Sequence, residues 1–247
     1  MRTGRASMSR LDSREAARPP RRMREHPLLG MPRRDAIVTG ALAAITAALF
    51  VLMALHTTRV RIQYVDDSFL RTMISVRAGP LTAVAKVLNS LGLMYLTLPV
   101  RVAITGYLAF RRRWWHVAAF VVAIVLSEAS IGSLKGLYDR SRPPGSLVHT
   151  TGGSFPSGHA VAASVTVVAA VIALFPEGPR RYAWGVAAVA FALLMGLSRA
   201  YLAAHWLSDA VAGVLLGTTF ALGSALLVHW IRERQRRHPA APAAGAG

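Results

Sequence analysis

Six long stretches of this 247-residue chain are almost free of charge: Ala36–Leu55, Leu91–Phe110, Trp114–Leu134, His159–Phe175, Tyr182–Leu197 and Leu207–Ile231. About 20 apolar residues suffice to cross a bilayer as a helix. The runs therefore predict an all-α fold, a six-span transmembrane helical bundle. The first run could also be read as a secretory signal, even a twin-arginine one, because Arg33-Arg34 precedes it. It is longer than an ordinary signal core and further apolar runs follow, which favours an uncleaved first span. Between spans one and two, Asp66–Ser90 has mixed polarity, with Phe69, Leu70, Met73, Ile74 and Val76, then Leu81, Val84, Val87 and Leu88. That period suits one or two amphipathic helices at the interface, broken at Gly79-Pro80.

Charge resolves an apparent conflict. The formal net charge is +18, yet the mean hydropathy is +0.41 and 53% of residues are hydrophobic. A disordered basic chain would lack this apolar content, and a soluble domain would struggle to cover it. The first 34 residues carry ten Arg and no sustained apolar face, and read as a disordered cytoplasmic tail. Residues 35–232 form the membrane domain, and 233–247, ending in Ala, Pro and Gly, read as a second disordered tail. With the N-terminus inside, nineteen of the 29 basic residues fall in cytoplasmic segments, which is the positive-inside bias. Both termini are then cytoplasmic in a cell-membrane protein. The excess charge follows from topology and needs no nucleic acid to explain it. The chain has no Cys, so disulfides, thiolate metal sites and a Cys nucleophile are excluded.

Three polar clusters interrupt the apolar chain, and the topology puts all three at the outer side. They are Lys135 through Arg142-Pro143, Ser154 through Pro156-Ser157-Gly158-His159, and Ser198-Arg199 with His205 and Asp209. Lys135, Arg142 and Arg199 supply three cations, and Arg grips phosphate oxygens with paired N–H groups. Ser157 adds a hydroxyl. Gly158 lets the backbone approach a ligand, and a helix opening at His159 favours an anion. His205 and Asp209 are four apart, so on a helix they share a face. The carboxylate can hold one ring nitrogen and leave the other as a nucleophile. His159 can protonate a leaving oxygen. The set suits phosphoryl transfer.

Lys135-x6-Arg142-Pro143, then Pro156-Ser157-Gly158-His159, then Ser198-Arg199-x5-His205-x3-Asp209 resembles the signature of the phosphatidic acid phosphatase type 2 / vanadium haloperoxidase family. The resemblance covers about residues 60 to 225. It implies that His205 attacks phosphorus, that Asp209 orients it, and that His159 serves the leaving group and then water. It implies that Lys135, Arg142, Ser157, Gly158 and Arg199 bind the phosphate, with no metal and no cofactor. The eleven carboxylates show no clustered pattern for a two-metal site. The expected substrate is a lipid phosphate: a polyprenyl diphosphate, phosphatidic acid or phosphatidylglycerol phosphate. The alternatives are transfer to a lipid or sugar acceptor, and a non-catalytic protein binding anionic lipid. The haloperoxidases of the family are soluble and much longer. Ala203-Ala204 departs from the Gly that relatives often carry before the histidine, with a packing effect expected.

The other residues have plainer readings. His26, His56, His116, His149, His229 and His238 read as packed or interfacial. Arg111–Arg113 and Arg140 read as headgroup contacts, and Trp114-Trp115 as part of an aromatic belt. Arg101 and Glu128 both lie within spans and are expected to face one another.

Overall fold

The structure, a computed structural model, describes residues 27–237. Among these it holds α-helices and no strand: α1 (Pro32–Ala54), α2 (His56–Ser75), α3 (Gly79–Leu91), α4 (Met94–Phe110), α5 (Trp114–Tyr138), α6 (Gly158–Leu174), α7 (Pro179–Tyr201) and α8 (Leu207–Arg237). The all-α expectation holds. The count of six spans does not follow as directly. Helices α1, α5, α7 and α8 are each long and apolar enough to cross a membrane, and α3 with α4 forms a further candidate bent by 53°. Helices α4 and α6 have 17 residues each, about 26 Å of rise against a hydrocarbon core of about 30 Å. Their shortness has a local cause: the bend at Gly92-Leu93 precedes α4, and the polar cluster at Ser157 opens α6.

The amphipathic segment between the first two apolar runs is indeed two helices, parted at Val76–Ala78 just before Gly79-Pro80. Helix α2 starts at His56, earlier than its apolar period suggested, and an i,i+4 bond from Gln63 to Asp67 (2.8 Å) lies along it. The expected tails are also shorter at their inner ends. Residues 1–26 and 238–247 lie outside the described residues. Leu28 and Leu29 are buried in the main apolar cluster, and Pro32 opens α1 at a position where its missing N–H costs nothing. Helix α8 continues to Arg237, past the expected boundary at residue 232. Arg234 stacks on Trp230 at 3.5 Å, and Arg236 pairs with Glu233.

Helix α6 is the axis of the bundle. It is apolar on every face, eleven of its 17 residues are buried, and it packs against α4, α5, α7 and α8. A helix of that composition has no solvent face to offer. Small residues let α8 come closest. A Cβ on Gly213 would sit 2.7 Å from the Ser157 carbonyl oxygen, and one on Gly217 would sit 2.6 Å from that of Val161. The Gly213-x3-Gly217 spacing puts both gaps on one stripe, the usual device for close helix approach in a membrane.

Arg101 and Glu128 do face one another. Arg101 Nη1 pairs with Glu128 Oε1 at 2.7 Å, and Nε donates to Thr166 Oγ1 at 2.9 Å. The pair ties α4 to α5 and α6.

At the other end of α5, Tyr138, Phe155 and Phe50 form an aromatic cluster with centroids 4.7–5.8 Å apart, and Tyr138 donates to the Phe50 carbonyl at 2.8 Å. This end of the bundle carries the connection 139–157 and the short link 202–206. Arg111–Arg113, Arg180-Arg181 and Arg232–Arg237 lie at the opposite ends of their helices.

Replacing Gly217 with Ala puts a methyl group against the α6 backbone, which cannot give way as a side-chain tip can. Thermal unfolding of the detergent-solubilised protein should show a loss of about 1–3 kcal/mol. Gly223 faces open space on the same helix, so Gly223→Ala should show no loss.

Candidate active site

The three polar clusters meet at one end of the bundle. Lys135 is in the last turn of α5, with Arg142, Arg199 and Asp209 as its charged neighbours. Arg142 stands in the connection 139–157. Ser157 is the N-cap of α6, Gly158 its first residue and His159 its second. Arg199 lies in the last turn of α7, His205 in the link to α8, and Asp209 is the third residue of α8. Arg199, His205 and Asp209 are all buried. Arg199, His205 and Lys135 are the charged neighbours of His159. All eight residues singled out from the sequence are thus brought to one place.

His205 is oriented by two acceptors. Its Nδ1 lies 2.8 Å from the Ser154 carbonyl oxygen and 3.5 Å from Asp209 Oδ2. A carbonyl only accepts, so Nδ1 carries the proton and Nε2 holds the lone pair. The backbone carbonyl is therefore the nearer partner, where the i,i+4 spacing alone pointed to Asp209. Arg142 Nη1 sits 3.2 Å from Nε2. Burial pushes His205 down to about 4, against the opposing pull of Asp209.

Arg142 is more occupied than its expected role suggests. Its N–H groups reach the carbonyls of Thr151 (2.7 Å), Gly152 (2.9 Å), Gly153 (3.1 Å) and Ala204 (2.7 Å). The fan sews the connection to the link that bears His205. Desolvation lowers the Arg142 value from its usual range, with Asp209 opposing.

The rest of the pocket leaves polar atoms unused. Ser157 Oγ, His159 Nε2 and Arg199 Nε are buried and have no hydrogen-bond partner in the protein. Ser157 does not cap its own helix with its side chain, and the first-turn amides of α6 have no intrahelical acceptors. A Cβ on Gly158 would meet only Ile131, at an ordinary 3.7 Å. Protein packing therefore does not demand a glycine there. Asn89 of α3 covers the pocket, with its Oδ1 on Arg199 Nη1. Its neighbour Gly92 leaves room for the His159 ring, since a Cβ there would come 2.4 Å from Cδ2.

One reading needs correction. Arg140 is not a headgroup contact. It is 8% exposed and pairs with both Asp66 and Asp209, each at 2.7 Å. Asp66 lies 74 residues away, and no spacing joins it to the clusters. The only hint was a pair of acids, Asp66-Asp67, in an otherwise basic segment. The Ala203 departure is buried against Leu70 and Trp206 and also acts through the backbone. Ala203 has φ 52°, in the left-handed region, where a residue with a Cβ carries about 1–2 kcal/mol of strain that Gly avoids.

The model of the PAP2 superfamily matches residues 116–236, a stretch that contains all three clusters. Phosphatidylglycerophosphatase B of Bacillus subtilis (strain 168) is 30% identical over 175 residues, which cover 68% of this chain and 85% of that protein. The crystal structure of a transmembrane PAP2 type phosphatidylglycerolphosphate phosphatase from Bacillus subtilis superposes with a TM-score of 0.68 at 26% identity. That match covers 79% of this chain and 96% of the other. LpxE of Aquifex aeolicus shares the fold, with a TM-score of 0.53 at 23% identity over 64% of this chain and 92% of its own. Helices apolar enough to cross a membrane, a matched stretch holding every cluster, and a relative aligned over most of its length agree. The chain belongs to the PAP2 superfamily and is a membrane lipid phosphatase of that family.

Proposed function

We propose that the protein hydrolyses a phosphate monoester or diphosphate of a lipid, with His205 as nucleophile and no metal. The observation that carries this is the set of unpartnered buried atoms, Ser157 Oγ, His159 Nε2 and Arg199 Nε, at the opening of α6 and the end of α7. Three polar groups from two helices, buried without partners, are costly unless a ligand completes them. The cationic neighbours make that ligand an anion.

In this reading His205 Nε2 attacks phosphorus and the bond to the leaving oxygen breaks. His159 protonates that oxygen. Water, deprotonated by His159, then attacks the phosphohistidine and frees inorganic phosphate and His205. Lys135, Arg142, Ser157, Arg199 and the amide of Gly158 hold the three oxygens that spread charge in the transition state. Arg142 does so through Nη1, the nitrogen that already faces His205. Phosphatidylglycerol phosphate is the first substrate to try, because the relatives' names carry it. Phosphatidic acid and a polyprenyl diphosphate are the others.

The same reading takes α4 and α6 as spans and gives six crossings of the cell membrane. The basic ends of the helices then lie in the cytoplasm with both termini, and the site faces outward. The separation of Arg111–Arg113, Arg180-Arg181 and Arg232–Arg237 from the site end supports this orientation.

Phosphate release from a panel of lipid phosphates, measured in detergent with a chelator present, tests the mechanism. Turnover should continue under chelation and vanish in His205→Ala. Unchanged turnover in that variant removes the nucleophile, and loss of turnover on chelation removes the metal-free route.

The depressed value of His205 also has a sign that can be measured. A buried base that resists protonation when folded contributes its full stability above its ordinary value of 6.5 and loses it as pH falls through about 4. The loss grows to about 3 kcal/mol at the acid end. Wild type should therefore lose more thermal stability than His205→Gln between neutral pH and about pH 4.

A further inference from the structure

We propose that Arg140 and Asp66 are positioning residues for phosphoryl transfer, holding Asp209 so that its second oxygen faces His205. The inference rests on His205 being the nucleophile. Arg140 Nη1 donates to Asp209 Oδ1 and to Ser208 Oγ, both at 2.7 Å. Its Nη2 donates to Gln63 Oε1 at 2.6 Å and to Asp66 Oδ2 at 2.7 Å. Asp209 Oδ1 is thereby committed to the guanidinium. Its Oδ2 is left to accept the Trp206 N–H at 2.9 Å and to face His205 Nδ1. The Trp206 bond is the backward half of a capping box, with Asp209 at the third helical position.

Asp66 acts at the same helix end. Its Oδ1 accepts the Ser208 N–H at 2.9 Å and its Oδ2 accepts the Ser208 hydroxyl at 2.6 Å. Helix α2 thus caps α8 from outside and neutralises Arg140 in one contact. Asp66 and Gln63 lie upstream of residues 116–236, which carry the family match. A segment outside the three clusters is therefore wired to the nucleophile.

Stability does not explain the arrangement well. Asp66, Arg140 and Asp209 are all buried, and buried ion pairs are often no more stabilising than apolar residues of the same volume. What the set supplies is a defined charge. Two carboxylates and one guanidinium sum to minus one beside an imidazole that becomes cationic as it attacks. The charged neighbours of His205 are Asp209 from α8, Arg199 from α7, Arg142 from the connection 139–157 and His159 from α6. Lys135 of α5 faces Asp209. Asp209 is thus the anionic partner in that ring, and Arg140 is bonded directly to it. Without Arg140, the charges of Asp66 and Asp209 stand uncompensated beside His205, which then keeps its proton into more alkaline solution. Without the Asp66 charge, the remaining pair is neutral, and His205 stays unprotonated in more acid solution.

The test is the pH profile of kcat and KM for the purified full chain in detergent, with phosphatidylglycerol phosphate or phosphatidic acid, whichever turns over faster. Arg140→Met should lose roughly a hundredfold in kcat, with its acidic limb moved up by about one pH unit and KM little changed. Asp66→Asn should move that limb the opposite way. Arg140→Lys should recover much of the rate, and Asp66→Asn/Arg140→Met should return the limb toward wild type. Folded variants whose limbs coincide with wild type would overturn the proposal, as would limbs that move together. Should Arg140→Met fail to fold, Arg140→Lys and Asp66→Asn decide the question by the same criteria. A His205→Ala variant run alongside separates the two ideas. If it stays active the nucleophile is wrong. If it is dead while the limbs do not move, only the positioning role fails.

Discussion

One backbone hydrogen bond ties the two halves of the site together: the Ser157 N–H donates to the Asp209 carbonyl at 3.0 Å. It joins the opening turn of α6 to the opening turn of α8. It forms only because the helices are close enough, and Gly213 makes them so by leaving the Ser157 carbonyl unobstructed. The Ser157 turn and the carboxylate beside His205 are thereby set in one register. A side chain at that crossing would push the two turns apart, and every distance between them would change together.

Charges inside the bundle obey a second constraint. In hydrocarbon an unpaired charge is expensive, so those that remain come with partners. Arg101 spends its hydrogen bonds on Glu128, Thr166 and the Ala162 carbonyl, and holds three helices. Arg140 spends its own on Asp66, Asp209, Ser208 and Gln63, at the chemistry. The two arginines look alike in the sequence, each in or beside an apolar run. Only the neighbours distinguish a strut from a part of the site.

That difference marks what the sequence could reveal. Residue spacing locates Lys135, Arg142, Ser157, Gly158, His159, Arg199, His205 and Asp209 because each cluster is local and its chemistry depends on residue type. The Arg101–Glu128 pairing was readable too, since two opposite charges in neighbouring spans have few other options. Arg140 was not, because its partner Asp66 lies on a different element and no periodicity links them. Neither was the Ser154 carbonyl at His205, since backbone acceptors leave no trace in residue identity. The left-handed turn at Ala203 is hidden for a related reason: its residue type argues against its conformation. The apolar runs foretold helices but not their lengths, because a bend at Gly92 and the polar opening of α6 trim α4 and α6.

Asn89 on Arg199 has a consequence for traffic through the pocket. With Arg199 as a phosphate ligand, as proposed, the amide oxygen holds part of the guanidinium that the phosphate would take. An amide is neutral, so an arriving dianion outcompetes it readily, whereas a carboxylate in that position would have made a lasting block. When phosphate departs, the same amide can take back its place and share the cost of exposing the cation. In that reading helix α3 is a placeholder for the departing anion.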